Sequence, residues 1–69
     1  MEILAERMKM LRKEKHLSQK EAAEALEISF SAYCRYEYGE REPAASTIAA
    51  MARLFRVSAD FLLGLTDER

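Results

Sequence analysis

Phe30, Ser31, Cys34, Arg35 and Tyr38 are the residues whose types and spacing suit a binding chemistry, because 30/34, 31/35 and 34/38 are each four apart. On a helix that spacing places side chains along one face. Arg35 carries a planar fork able to bond O6 and N7 of guanine, a contact worth about 1–3 kcal/mol of discrimination. Phe30 has no hydrogen bond to give, and its ring suits a thymine methyl. A hydrophobic staple or partial packing is the other use open to Phe30. Ser31 either reads a base edge or leaves room for a neighbour. Cys34 and Tyr38 suit the surface or the phosphate side of such a face. Tyr33 and Tyr36 fall on a different face and anchor the helix from behind. One side packs and the other is presented, the geometry needed to enter a DNA major groove, which admits one helix.

The same sequence argues against catalysis. It offers no paired His/Cys/Asp set, no metal-ligand spacing and no glycine-rich phosphate loop. Cys34 has Arg35 beside it but no supporting histidine. His16 is the single histidine, and a structural role at a helix end suits it better than a metal. No enzyme, metal, cofactor or small-molecule ligand is expected.

Positioning the presented face requires helices with clear ends. Ser18 followed by Glu21 is a capping box that starts a helix at Gln19; Ala22, Ala23 and Leu26 give it an apolar side. A break follows at Glu27 and Ile28, and Ser29 caps the next helix. Both helix starts, at Gln19 and Ser29, offer N–H groups to phosphate. Ahead of this pair, residues 2–15 form a helix with Leu4, Met8 and Leu11 on one stripe, widened by Ile3. Arg7, Lys9, Arg12 and Lys13 occupy its remaining surface, and Met10 lies off the stripe. His16 ends it in a left-handed conformation.

After the pair, Gly39 to Pro43 is a loop. Residues 45–55 form a fourth helix with Ile48, Met51, Ala52 and Phe55 inward, and Ala44 supplies no side-chain cap. Val57 fills the core. Ser58 caps a short last helix that docks Phe61 and Leu62, and Gly64 stops it. The polar end of the chain is expected to fray. The fold class is all-α, a compact five-helix bundle.

At 69 residues, 49% hydrophobic and 33% charged, the chain suits one small helical domain with a thin core. One cysteine allows no internal disulfide, and a reducing cytoplasm is the default. No apolar run approaches a membrane span, and Glu2 and Glu6 interrupt any leader-like start. Net charge is −1, so attraction to phosphate depends on distribution. Arg7, Lys9, Arg12, Lys13, Lys15 and Lys20 face only Glu2, Glu6 and Glu14 in the first twenty residues. Acids dominate from Glu21 onward, so non-specific affinity for DNA is expected to be modest.

The ordered set Arg7-Met8-Lys9, Leu11-Arg12, Leu17-Ser18-Gln19, Ala23, Leu26-Glu27-Ile28-Ser29, Tyr36-Glu37, Gly39, Arg41 and Pro43 resembles the Cro/CI-type, or XRE, helix-turn-helix regulators. Val57-Ser58-Ala59-Asp60-Phe61-Leu62-Leu63-Gly64 is similar to that family's closing helix. The match covers about residues 3–65. The resemblance implies a lambda-repressor-like DNA-binding domain over residues 1–66, with its motif at about 18–39 and a polar tail at 67–69. It implies base contacts from Gln19, Phe30, Ser31 and Arg35. Phosphate contacts fall to Ser18, Ser29 and Arg41, with Tyr38 on the same side. It pairs Arg12 with Glu37 as a buried ion pair, where the bland alternative is an exposed one worth little. Ala23 matches the small residue that lets the two motif helices approach.

Departures from the pattern are informative too. Glycine is common in the family where His16 and Glu27 stand, so both are expected at positive φ, at a cost of order 1 kcal/mol each. Tyr33 replaces an aliphatic residue, and its hydroxyl is expected to reach the surface or a partner. Glu40 and Glu42 make the following loop acidic.

Two functions remain in view. The first is a transcriptional regulator, in repressor form, acting in the cytoplasm as a homodimer on a palindromic double-stranded operator. Its recognition helix spans about 29–38, and Leu63 and Leu65 are candidates for the dimer surface. The second is a protein-interaction module or antitoxin that uses the same bundle on a protein partner.

Overall fold

Residues 2–69 are described in a computed structural model; Met1, first in the expected domain, lies outside them. The described residues form five helices and no strand: α1 (Glu2–Glu14), α2 (Gln19–Ala25), α3 (Phe30–Glu37), α4 (Ala45–Phe55) and α5 (Ala59–Leu62). α1 is the post of the bundle. It contacts α3, α4 and α5, while α2 packs on α3 and α4 on α5. Its buried side is Leu4, Ala5, Met8 and Leu11; Leu4, Met8 and Leu11 meet Ala22, Ala23, Leu26, Tyr33, Met51, Phe55, Val57, Phe61 and Leu62 in one core.

The helix starts follow local chemistry. Ser18, Ser29 and Ser58 each accept a bond from the N–H three residues on, at 3.0 Å. Glu21 completes the capping box by accepting from the Ser18 N–H at 2.8 Å. Ala44 begins α4 with no side-chain cap.

The helix ends share one device. After α1, α2, α3, α4 and α5 the chain turns through His16, Glu27, Gly39, Arg56 and Gly64, all at positive φ. The following N–H in each case reaches back five residues: Leu17 to Arg12, Ile28 to Ala23, Glu40 to Arg35, Val57 to Ala52 and Leu65 to Asp60. This motif satisfies carbonyls that the helix leaves open. His16 and Glu27 adopt the left-handed conformation anticipated for them. Arg56, at φ 57°, was not anticipated. For a non-glycine residue that conformation costs roughly 1–2 kcal/mol. Leu17, Ile28 and Val57, turned partly or wholly inward just after these residues, supply the compensating burial.

Four expectations need correction. Arg7 is not a surface charge: its side chain is only 15% exposed. Its guanidinium donates to the carbonyls of Phe61 and Thr66 and to Asp67, and lies 4.1 Å from the centroid of the Phe61 ring. The chain end is not frayed either, because it is tied along α1. Arg69 pairs with Glu14 at 2.6 Å, and its carbonyl accepts from the Ser58 N–H at 2.8 Å. Ile3 flanks the core rather than widening it; it is 41% exposed and lies against Gly64, where an added Cβ would come within 2.7 Å of it. Finally, the Tyr33 hydroxyl reaches neither surface nor partner. It is fully buried without a hydrogen bond, because the ring is packed in the core and holds the hydroxyl beside the Arg12–Glu37 pair, whose own bonds are made to each other.

Candidate nucleic-acid interface

Tyr33 and Glu37 are the buried residues of α3, and Tyr36 packs half-buried against the core. That orientation turns Phe30, Ser31 and Arg35 outward together, all exposed, with Cys34 half-buried among them. Phe30 is 54% exposed and Tyr38 63%. Ser18 and Ser29 are exposed, and their hydroxyl oxygens are already engaged as caps. Each hydroxyl hydrogen is left to donate. Arg41 is exposed in the loop between α3 and α4. Among the described residues neither Arg35 nor Arg41 forms an ion pair with the protein. Both keep their donors for an outside acceptor.

Behind this face lies a polar cluster that joins three helices. The Arg12 Nε donates to Glu37 Oε2 at 2.9 Å and its Nη2 to Oε1 at 3.0 Å, while Nη1 donates to the Leu17 carbonyl at 2.8 Å. The carboxylate is 1% exposed. Burial alone would raise the pKa of Glu37, but Arg12 first, then the neighbouring Tyr33 hydroxyl and Gln19, reverse it and leave it below its ordinary value. The Glu37 bond in turn raises that of Arg12. Burial, then the neighbouring Glu37, push the Tyr33 hydroxyl well above the usual range for a phenol. The pair is therefore charged and fixed, a bidentate geometry of the strong kind.

Gln19, half-buried at the start of α2, donates from Nε2 to Glu37 Oε1 at 3.2 Å and lies 3.5 Å from the Tyr38 hydroxyl. The structure so brings Arg12, Gln19, Glu37 and Tyr38 together, while Phe30, Ser31 and Arg35 stand apart on the presented face. Sequence reasoning missed the tie from Gln19 to the ion pair. No local pattern reports a contact between residues eighteen positions apart.

An open groove of about 320 Å³ runs between α1 and the end of α3, past Glu2, Glu6, Lys9, Tyr38 and Gly39. Its acidic rim makes it unsuited to an anion. Among the described residues no group of three His, Cys, Asp or Glu side chains is placed to hold a metal ion, and no helix is long and apolar enough to cross a membrane.

Comparison with known proteins accords with this architecture. The helix-turn-helix family pattern matches residues 8–62. The HTH-type transcriptional regulator YobD of Bacillus subtilis (strain 168) is 38% identical over 63 residues, covering 91% of this chain and 56% of that protein. The HTH-type regulator YqaE of the same organism is 39% identical over 68 residues, covering 97% and 59%. The chain thus spans a little over half the length of these relatives. Among solved structures, the DNA-binding domain of the phage P22 C2 repressor superimposes with a TM-score of 0.81 at 25% identity, over 96% of this chain and 90% of that one. With the pattern, the relatives and the backbone all in accord, the chain belongs to the helix-turn-helix family of the XRE, or Cro/CI, type.

Proposed function

We propose that this protein binds double-stranded DNA sequence-specifically and regulates transcription, as a repressor and from the cytoplasm. The recognition helix is α3 with its flanks, about residues 29–38. The observation that carries the reading is the outward projection of Phe30, Ser31 and Arg35 together, while Tyr33 and Glu37 hold their helix from behind. Arg35 reads guanine, Phe30 covers a thymine methyl, and Ser31 faces a base edge. Ser18, Ser29, Tyr38 and Arg41 donate to phosphates and set the register.

One recognition helix covers few base pairs, so a homodimer on a roughly palindromic operator, with half-sites about one DNA turn apart, is the natural assembly. Leu65, 73% exposed, and the half-buried Leu63 beside it are the surface assigned to the dimer.

Selection of sites from a random duplex pool, followed by binding of variants, tests the assignment. Arg35→Ala relaxes the preference at one base pair, at a cost of about 1–3 kcal/mol on the preferred site. Arg41→Ala weakens all sites alike. Equal, sequence-independent losses from both changes sink the base-reading role of Arg35.

The exposed rings of Phe30 and Tyr38 and the net charge of −1 favour a second reading, a protein-interaction module or antitoxin. Salt separates the two. Binding to random duplex that falls steeply as salt rises marks the regulator, and no binding even at low salt marks the module.

A further inference from the structure

We propose that residues 66–69 form a latch that holds Leu65 in place for a second copy of the chain, so that the Glu14–Arg69 pair sets how strongly two copies assemble on an operator without touching the DNA. The proposal rests on the homodimer reading above and names what positions its surface. α5 is a single turn, Ala59–Leu62, too short to hold its own shape. Phe61 and Leu62 are buried on its inner side, while Leu63, Gly64 and Leu65 run on beyond it, with Leu65 73% exposed. An exposed leucine just past one helical turn would ordinarily swing freely.

Here the backbone on both sides of it is tied. The Leu65 N–H donates to the Asp60 carbonyl at 2.9 Å, and Gly64 before it lies against Ile3. After it, Arg7 donates to the Thr66 carbonyl at 2.7 Å, and with the same nitrogen to the Phe61 carbonyl. Arg69 then fastens the segment twice. Its guanidinium bonds both oxygens of Glu14, at 2.8 and 2.6 Å, and its carbonyl accepts from the Ser58 N–H at 2.8 Å. Ser58 caps α5, so residues 58–69 make a closed loop whose ends meet. That loop is pinned to α1 at Arg7 and Glu14, about two turns and about 10 Å apart. A contact residue that is already fixed has less freedom to lose on association. Of the two pins, Arg7 is 15% exposed and also supports the Phe61 ring, so its removal disturbs the fold. The Glu14–Arg69 pair is about half exposed on both sides and adds little to global stability. It is the pin that can be undone without unfolding the domain.

Comparing a full operator with a half-site tests this. An operator is first selected from a random duplex pool, and a second duplex is made with one of its two arms scrambled. The advantage of the full duplex over the scrambled one measures assembly. Glu14→Gln, checked for an unchanged melting profile, lowers that advantage about three- to tenfold, the contribution of one exposed pair counted once in each protomer. Its binding to the scrambled duplex stays as in the unmodified protein. Glu14→Arg lowers the advantage further, and Glu14→Arg combined with Arg69→Glu restores it, because the swapped pair closes the same latch. Leu65→Asp removes the advantage altogether.

A Glu14→Gln protein that keeps the full advantage, while Leu65→Asp loses it, overturns the latch and leaves the dimer surface standing. So does a Glu14→Gln protein that weakens on both duplexes alike, or a charge swap that restores nothing. An unmodified protein with no advantage, or a Leu65→Asp protein that keeps it, sinks the dimer reading and this inference with it. Failure to enrich any sequence from the pool sinks the regulator reading itself.

Discussion

Arg7 and Arg12 stand on the same helix and both tie α1 to a later part of the chain, yet they do so against different partners. Arg12 faces a carboxylate that is 1% exposed, with its own side chain 11% exposed. Arg7 faces two main-chain carbonyls, an aromatic ring and the carboxylate of Asp67, which is 99% exposed. A buried charge facing a buried charge cannot be removed alone, because its partner is left desolvated and unpaired. A cation resting on carbonyls and a ring leaves behind groups that water can partly reach. The motif end of the molecule is therefore fixed by charge, and the carboxyl end by a cation spread over several weaker contacts.

The largest effect that sharpens this contrast is at the ion pair. Arg12→Met or Glu37→Leu alone should destabilise by about 3–5 kcal/mol in chemical denaturation, whereas the two together should recover most of the loss. Single losses below about 1 kcal/mol, the range of exposed pairs, would break the comparison. Acid should reveal the same pair. The folded pKa of Glu37 lies below its ordinary 4.5, so its contribution is present above that value and disappears as pH falls through the lowered one. Glu37→Gln should flatten that decline; the lowered Glu14 and Glu21 carboxylates leave part of the slope in place.

Next in size is the other arginine. Arg7→Met should cost about 1–3 kcal/mol, from charge-assisted bonds to carbonyls and the lost contact with Phe61. Asp67→Ala should leave the denaturation midpoint unmoved. A midpoint shift from Asp67→Ala as large as that from Arg7→Met would mean that the clasp is an ion pair after all.

The smallest change is a gain. Tyr33→Phe removes a buried hydroxyl that has no partner, and should stabilise the fold by about 1 kcal/mol. A loss instead would place that hydroxyl in bonding contact with the pair beside it.

Much of the bundle was legible in one dimension because its signals are local. Serine at 18, 29 and 58 marks helix starts through bonds spanning three residues, and apolar spacing marks the faces. The left-handed turns at His16 and Glu27 were visible through the family's preference for glycine there. Arg56 carried no such signal, and only the Val57 beside it hints at the turn. The outward face of α3 followed from spacing as well. The burial of Arg7, the docked chain end and the tie from Gln19 to Glu37 were not legible. Each joins residues remote in sequence.

By itself the sequence settled where helices begin and end and which face of each is apolar, since backbone geometry and side-chain period act over a turn or less. Only the tertiary structure decided which charges are buried and which way a half-buried amide points. Desolvation depends on everything packed around a group, and residues far along the chain supply most of that packing.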